Sequence, residues 1–335
     1  IRPCDWSSDV CSSDLTLRYL GMLVLAAALV WLSLKGIPDV EGESKAVFLW
    51  QTWARSNKWY LMVMAGAAML SHVLRAYRWK MLLAPTGNQV TLGNSFLSLM
   101  VGYLVNLAVP RGGEVSRCYN LLKLQQTPVE VSFGTVVAER VVDVLCLIAL
   151  IAISFFVEWD KLMAFMGALP MSSGGGLLKG LAIGGMALAA LVVAFFMVKK
   201  NEKVRKIVAG FKEGLLAVFR LKHNFTFAII SILIWLLYFV MSYLVIVAFP
   251  ETKGLGLSAV LTLFAMGAIA MAVPLPGGAG SYHTIVPLGL VMLYGLPQGD
   301  AIAFVFIFHA WQTFIMIVGG LLSLLVSYWM IQWRK

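Results

Sequence analysis

Asn106 to Arg117 reads N-L-A-V-P-R-G-G-E-V-S-R. Ala272 to Gly280, A-V-P-L-P-G-G-A-G, echoes it in part. Both stretches follow an apolar run and set Ala-Val-Pro shortly before Gly-Gly. Proline lacks the N–H that a helix needs, and paired glycines supply backbone freedom, so each stretch ends a helix. Interrupted hydrophobic segments at matching places in two halves of a chain mark the binding site of a membrane transporter. The breaks comprise Pro110, Gly112 and Gly113 in the first half and Pro274, Pro276, Gly277, Gly278 and Gly280 in the second.

The chain around them has 335 residues, is 60% hydrophobic and only 13% charged. That is too apolar for a soluble domain, and several runs reach the roughly 20 residues that cross a bilayer. The formal net charge of +10 is read as Lys and Arg in cytoplasmic loops facing anionic lipid, not as a nucleic-acid surface. Residues 1–15 are polar, carry no signal-peptide core, and from Asp5 to Leu15 look like a translated sequencing adapter. They are expected to be non-native, leaving residues 16–335 as a single transmembrane domain. Without Cys4 and Cys11, only Cys118 and Cys146 remain, neither a disulfide framework nor a metal-ligand spacing.

Spans are expected at Leu17–Leu34, Trp59–Leu74, Val131–Val157, Leu177–Val198, Phe225–Phe249 and Ala301–Trp329. Lys35–Lys58 reads as a loop of mixed charge, and Arg75, Arg78 and Lys80 as a cytoplasmic end. Lys199–Lys222 is the most basic loop; within it Val204, Ile207, Val208, Phe211, Leu215 and Phe219 recur at helical spacing. This predicts a cytoplasmic amphipathic elbow on the inner leaflet. If both basic regions are cytoplasmic, the segment between them that holds Pro110 enters and leaves on that side. By the same count Leu257–Leu293 enters and leaves outside. The fold expected is therefore all-α: about six transmembrane helices plus two oppositely oriented re-entrant hairpins, with both termini cytoplasmic. Eight full spans would put a basic region outside; a mixed arrangement, with one hairpin crossing fully, stays open.

Three constellations carry candidate chemistry. Arg111, Glu114 and Arg117 follow the first break at three-residue intervals. A helix beginning near Gly112 would put Glu114 and Arg117 on one face beside free backbone N–H groups. Arginine's planar fork suits a phosphate, so Arg111, Glu114, Arg117, Asn106 and Arg140 are the candidate lipid-headgroup ligands. The plainer alternative is a turn whose charges anchor the hairpin. Glu139, Arg140 and Asp143 lie inside a span, where each charge costs on the order of 2.5–3.5 kcal/mol. Glu139 and Asp143 share a face and repel unless a cation from Arg75, Arg111 or Arg117 sits between them. That network is structural, a substrate or proton path, or both. His283, His309 and Gln312 form a possible proton relay, against the alternative of ordinary packing histidines. No metal site or cofactor is expected, and no nucleotide-binding loop, nucleophile elbow or metalloprotease motif is present.

Taken together, R-A-Y-R-W-K at Arg75–Lys80, G-Y-L-V-N-L-A-V-P-R-G-G-E-V-S-R at Gly102–Arg117, E-R-V-V-D at Glu139–Asp143 and P-L-P-G-G-A-G at Pro274–Gly280 resemble the lysylphosphatidylglycerol synthase transmembrane, flippase-like family. Its members were once filed as UPF0104 membrane proteins. The resemblance runs from Leu17 to about Lys335. It implies a bundle that moves lipid between leaflets, as in the two-domain enzymes that make and flip lysyl-phosphatidylglycerol. No synthase part lies in these residues, so aminoacyl transfer is not expected. Family members often carry Glu after the second Gly-rich motif; here His283 stands in that position. The expected activity is translocation of a phospholipid or lipid-linked anion across a bacterial inner membrane by a non-enzyme. The alternatives are an ion- or proton-coupled small-solute carrier using Asp143, His309 and Gln312, or a membrane scaffold for a separate envelope-lipid or glycan biosynthesis enzyme.

Overall fold

The computed structural model describes residues 44–109, 111–161, 163, 202–272 and 280–333, with Trp31 and Leu34. The expected spans Leu17–Leu34 and Leu177–Val198 and the break residues Pro110, Pro274, Pro276, Gly277 and Gly278 lie outside the described residues, apart from Trp31 and Leu34 in the first span. So do residues 1–15. All regular elements among the described residues are helical.

The described residues form ten α-helices, in two runs of five. The first run is α1 (Lys45–Arg55), α2 (Lys58–Leu83), α3 (Leu92–Ala108), α4 (Gly112–Gln125) and α5 (Val129–Val157). The second is α6 (Glu202–Leu216), α7 (Asn224–Ala248), α8 (Gly256–Ala272), α9 (Ser281–Tyr294) and α10 (Gln298–Gln332). Polar residues before the apolar runs start the early helices. Ser44, Asn57 and Thr91 accept from the backbone N–H of Val47, Trp59 and Asn94 at 3.3, 3.0 and 3.2 Å. By length and composition, Lys58–Thr86, Asn224–Ala248 and Gln298–Gln332 can cross a membrane. α2, at 26 residues, is roughly 39 Å long. α3 and α4, with 17 and 14 residues, reach only about 25 and 21 Å, short of the ~30 Å hydrocarbon core.

The two runs repeat one another. α3 and α8 both have 17 residues, and α4 and α9 both have 14. α4 and α9 each begin after a residue of positive φ, Arg111 at 61° and Gly280 at 93°. Each ends on a left-handed residue, Gln126 or Gly295, and two residues later Pro128 or Pro297 caps the next helix. Packing repeats as well. α6 lies on α5 as α1 lies on α10; α8 packs on α5 as α3 packs on α10; α2 and α7 pack on each other. The start of α2 meets the end of α7, where the Asn57 N–H donates to Ala248 O at 2.7 Å. The pair is antiparallel, which makes the repeat an inverted one. One hairpin opens where Gln125 Oε1 accepts from the Thr91 N–H. The other opens at the end where Arg55 pairs with Glu251 and Lys161 lies over Tyr294. Trp50 and Trp59 are exposed at this second end, Phe225, Trp329 and Trp333 at the first, as interfacial aromatics are.

Three expectations change. The stretch read as the loop Lys35–Lys58 contains α1, whose Trp53 meets Trp311 of α10 with ring centroids 5.7 Å apart. The span read as ending at Leu74 continues to Leu83, because Arg75 and Arg78 are buried inside it. They are not a surface cluster. The predicted amphipathic elbow is helical over Glu202–Leu216, as the spacing requires, but that helix docks on protein. Gly134 of α5 faces Phe211 O, and Gly214 faces Val131 O, both too close for any Cβ. A methyl group on Gly214 would also lie 2.8 Å from Thr135 N. Gly214→Ala is therefore expected to lower stability by about 1–3 kcal/mol, the usual cost of overpacking. Its thermal midpoint falls, and proteolysis opens first within 199–222. An unchanged midpoint and cleavage pattern would show that α6 is not fixed on α5.

Candidate functional site

α2, α4, α5 and α7 enclose a charged centre. Glu139 is fully buried, and Arg75, Arg78 and Arg117 are 6%, 0% and 2% exposed. Arg75 Nη2 donates to Glu139 Oε1 at 2.9 Å and Asp143 Oδ2 at 3.0 Å; its Nη1 donates to the Tyr238 hydroxyl at 2.8 Å. Arg78 Nη2 donates to Glu139 Oε1 at 3.1 Å and Asp143 Oδ1 at 2.5 Å. Arg117 Nη2 donates to Glu139 Oε2 at 2.9 Å. The Arg117 guanidinium also lies 4.7 Å from the Trp79 ring centre, and the Trp79 N–H is held by Thr135 Oγ1 at 2.9 Å.

Helical spacing makes this arrangement possible. Arg75 and Arg78 lie three apart on α2, Glu139 and Asp143 four apart on α5, so each pair shares a face. The repulsion expected between the two acids is relieved by Arg75, as the sequence suggested, and equally by Arg78. Burying one ion costs several kcal/mol, offset only when partners and hydrogen bonds surround it. Glu139 meets three guanidinium groups, and three arginines on two acids leave one formal positive charge among the five.

Beside this centre a cleft with an interior of about 10 Å³, room for roughly one water, is lined by Leu99, Gly102, Tyr103, Asn106, Gly113, Glu114, Arg117 and Arg140. The hairpin geometry creates it. Gly102 and Gly113 bring the backbones of α3 and α4 into contact where any Cβ would clash, and Asn106 Oδ1 accepts from the Gly113 N–H at 2.7 Å. Asn106 therefore fixes the start of α4 as well as lining the cleft. Arg140 bridges the mouth, 3.9 Å from Glu114 and 3.8 Å from Asp143, with 40% of its side chain exposed. Arg117 Nε and Nη1, Arg140 Nε and Glu114 Oε2 are buried and make no hydrogen bond within the described residues.

Of the expected headgroup ligands, the structure gathers Asn106, Glu114, Arg117 and Arg140 in one cleft and leaves Arg111 outside its lining, exposed at the helix cap. Arg78 was missed. The signal available was its three-residue spacing from Arg75, which matches the acid pair on α5. In the second half the Gly280 N–H donates to His283 Nδ1 at 3.3 Å. The His283 and His309 rings lie 4.7 Å apart, edge to face, with Tyr282 stacked on His309 at 5.5 Å. Gln312 is half-buried one turn further along α10.

An inverted helical bundle with apolar membrane-length helices around a buried ionic core defines a polytopic membrane protein. Residues 18–320 match the family described as the lysylphosphatidylglycerol synthase TM region, and the chain belongs to it. It is 33% identical over 107 residues to a UPF0104 membrane protein of Methanocaldococcus jannaschii, a match covering 30% of this chain and 32% of that one. It is 25% identical over 257 residues to a UPF0104 membrane protein of Methanothermobacter thermautotrophicus, covering 68% and 73%. The chain thus spans about a third of the first relative and about three quarters of the second. No solved structure matches it.

Proposed function

We propose that the protein translocates a phospholipid or a related lipid-linked anion between the leaflets of the plasma membrane, with the headgroup phosphate held at the cleft between α3, α4 and α5, which opens beyond its one-water interior to admit it. The observation that carries this reading is Arg117. It is buried and its orientation is fixed by Glu139 and Trp79, yet Nε and Nη1 stay unpaired beside the cleft. A buried unmade hydrogen bond to a charged group is costly, and a phosphate accepting two of them removes that cost. The surplus positive charge of the ionic centre favours an anion in the same place.

On this reading the bundle has six spans, both termini are cytoplasmic, and α3/α4 and α8/α9 are re-entrant hairpins from opposite faces. Their short helices and the segments joining them would be shielded from lipid by the long helices, as irregular backbone in a bilayer must be. The protein acts without covalent chemistry on the lipid. The test is translocation in liposomes carrying headgroup-labelled phosphatidylglycerol or phosphatidylethanolamine, with an impermeant reductant outside. Quenching beyond half of the label is expected. Quenching that stops at half with every lipid tried, while the protein is folded and inserted, refutes the proposal.

A further inference from the structure

The inverted repeat sets particular residues of one half against particular residues of the other. Gly112 and Ser281, the first residues of α4 and α9, are 169 positions apart, and the same offset joins the αL caps, the capping prolines and the starts of α5 and α10. It places His283 where the first half has Glu114, His309 where it has Arg140, and Gln312 where it has Asp143. Contacts follow the register. Glu114 of α4 meets Arg140 of α5 at 3.9 Å, and His283 of α9 meets His309 of α10 with ring centres 4.7 Å apart. The second half thus builds the same helix-to-helix contact from two imidazoles in place of a permanent ion pair.

We propose that the His283–His309 pair is a proton-binding site that couples movement of the second hairpin to the transmembrane proton gradient. This rests on the translocation reading above for its cargo, not for its geometry. His283 Nδ1 accepts the Gly280 N–H, so in the neutral ring the proton sits on Nε2. A second proton must go to Nδ1, and this removes the acceptor that holds Gly280, the cap residue before α9. Protonation therefore releases the N-terminus of α9 and places a charge where burial disfavours it. Both effects drive the hairpin toward a state open to water, and loss of the proton restores the cap. Gly280 has φ of 93°, a conformation that suits glycine and lets the turn re-form without a Cβ penalty.

Among the described residues, α9 and the two helices packed on it carry few titratable groups besides the two histidines; α10 also packs on α1, α3 and α4, which carry Lys45, Arg55, Tyr103, Glu114, Arg117 and Lys123. α9 is packed between α8 and α10. α8 has no titratable side chain along its length. α10 offers only Asp300 and Tyr328 besides His309, near its two ends. α9 itself offers Tyr282, stacked on His309, and Tyr294 at its far end. The Phe306 ring covers His283, with centroids 4.2 Å apart.

Two measurements on the full chain test the proposal. The first follows histidine ring signals of the ¹³C-labelled protein in nanodiscs between pH 4 and 9, with His283→Gln and His309→Gln assigning them. Expected are two signals that titrate together, each substitution shifting the midpoint of the other. If neither titrates in this range, the proposal fails, whatever the protein transports. The second is lipid translocation with and without an imposed gradient of one pH unit. A one-proton cycle drives roughly tenfold asymmetry between leaflets, which His283→Gln and His309→Gln should abolish while exchange without a gradient persists. Gradient-independent wild-type distribution, or full gradient dependence in the two variants, overturns the coupling. Titration together with absent translocation instead refutes the lipid reading and leaves the proton site standing.

Discussion

Glu139→Gln should destabilise the protein more than any other single exchange of a side chain for one of the same size. Glutamine preserves volume but removes the charge on which Arg75, Arg78 and Arg117 converge at 2.9, 3.1 and 2.9 Å. Asp143 then faces Arg75 and Arg78 alone, and Arg117 loses its carboxylate partner altogether. Breaking a buried ion pair by removing one member costs about 3–5 kcal/mol, because the survivor is left charged and unpaired. Arg117 is such a survivor, and Arg75 and Arg78 are left sharing one acid, so the upper end is expected, a large part of the 5–15 kcal/mol that holds a typical fold. The checks are the yield of monodisperse protein after detergent extraction and the thermal midpoint by tryptophan fluorescence. Arg78→Met in the Glu139→Gln background removes one uncompensated charge and should restore part of the loss. A midpoint for Glu139→Gln equal to that of the native chain would show that these contacts do not support the bundle.

Arg117→Lys should reduce translocation about as severely as Arg117→Ala. Lysine keeps the charge, but an ammonium lacks the rigid planar fork that can hold Glu139 with one nitrogen and present two more N–H groups to a phosphate at fixed geometry. Arg117 does both from one planar group, with Nη2 on Glu139 and Nε and Nη1 turned to the cleft. Hydrogen bonds to a charged group contribute about 1.5–3 kcal/mol each, so loss of one such bond in the rate-limiting state slows exchange roughly 10- to 100-fold. Arg111→Ala, at an exposed cap outside the cleft, should leave the rate close to native. Equal losses for Arg111→Ala and Arg117→Ala would mean that positive charge near the hairpin matters and the cleft does not.

The periodicities that are long in the sequence were the legible ones. The apolar runs gave α5, α7, α8, α9 and α10 to within a few residues, because each is bounded by Pro, Gly or polar residues. The reading failed where charge was taken as a surface signal. Arg75 and Arg78 looked like a helix end by hydropathy, yet they sit one turn apart opposite acids one turn apart, a match that hydropathy averages away. The echo of Ala-Val-Pro was half correct. Ala108 and Ala272 both end their helices, but Gly112 corresponds to Ser281 and not to a glycine of the second motif. Eight residues separate α8 from α9 where three separate α3 from α4, and such an insertion shifts every partner after it. That shift hid the equivalence of His283 with Glu114 and of His309 with Arg140. The cleft itself was partly readable, since Asn106, Glu114, Arg117 and Arg140 were chosen for their chemistry. Only three-dimensional packing could separate them from Arg111, which is exposed and lies outside the cleft lining.

The decisive measurement is photo-crosslinking with a phospholipid that carries a diazirine on its headgroup, in membranes holding the native chain, followed by peptide mass spectrometry. A headgroup bound in the cleft labels peptides around Asn106, Glu114 and Arg140, and Arg117→Ala removes that labelling while leaving contacts on the lipid-facing helices intact. Labelling confined to exposed residues such as Trp59, Leu145 and Leu325, and unchanged by Arg117→Ala, would contradict a headgroup site between α3, α4 and α5.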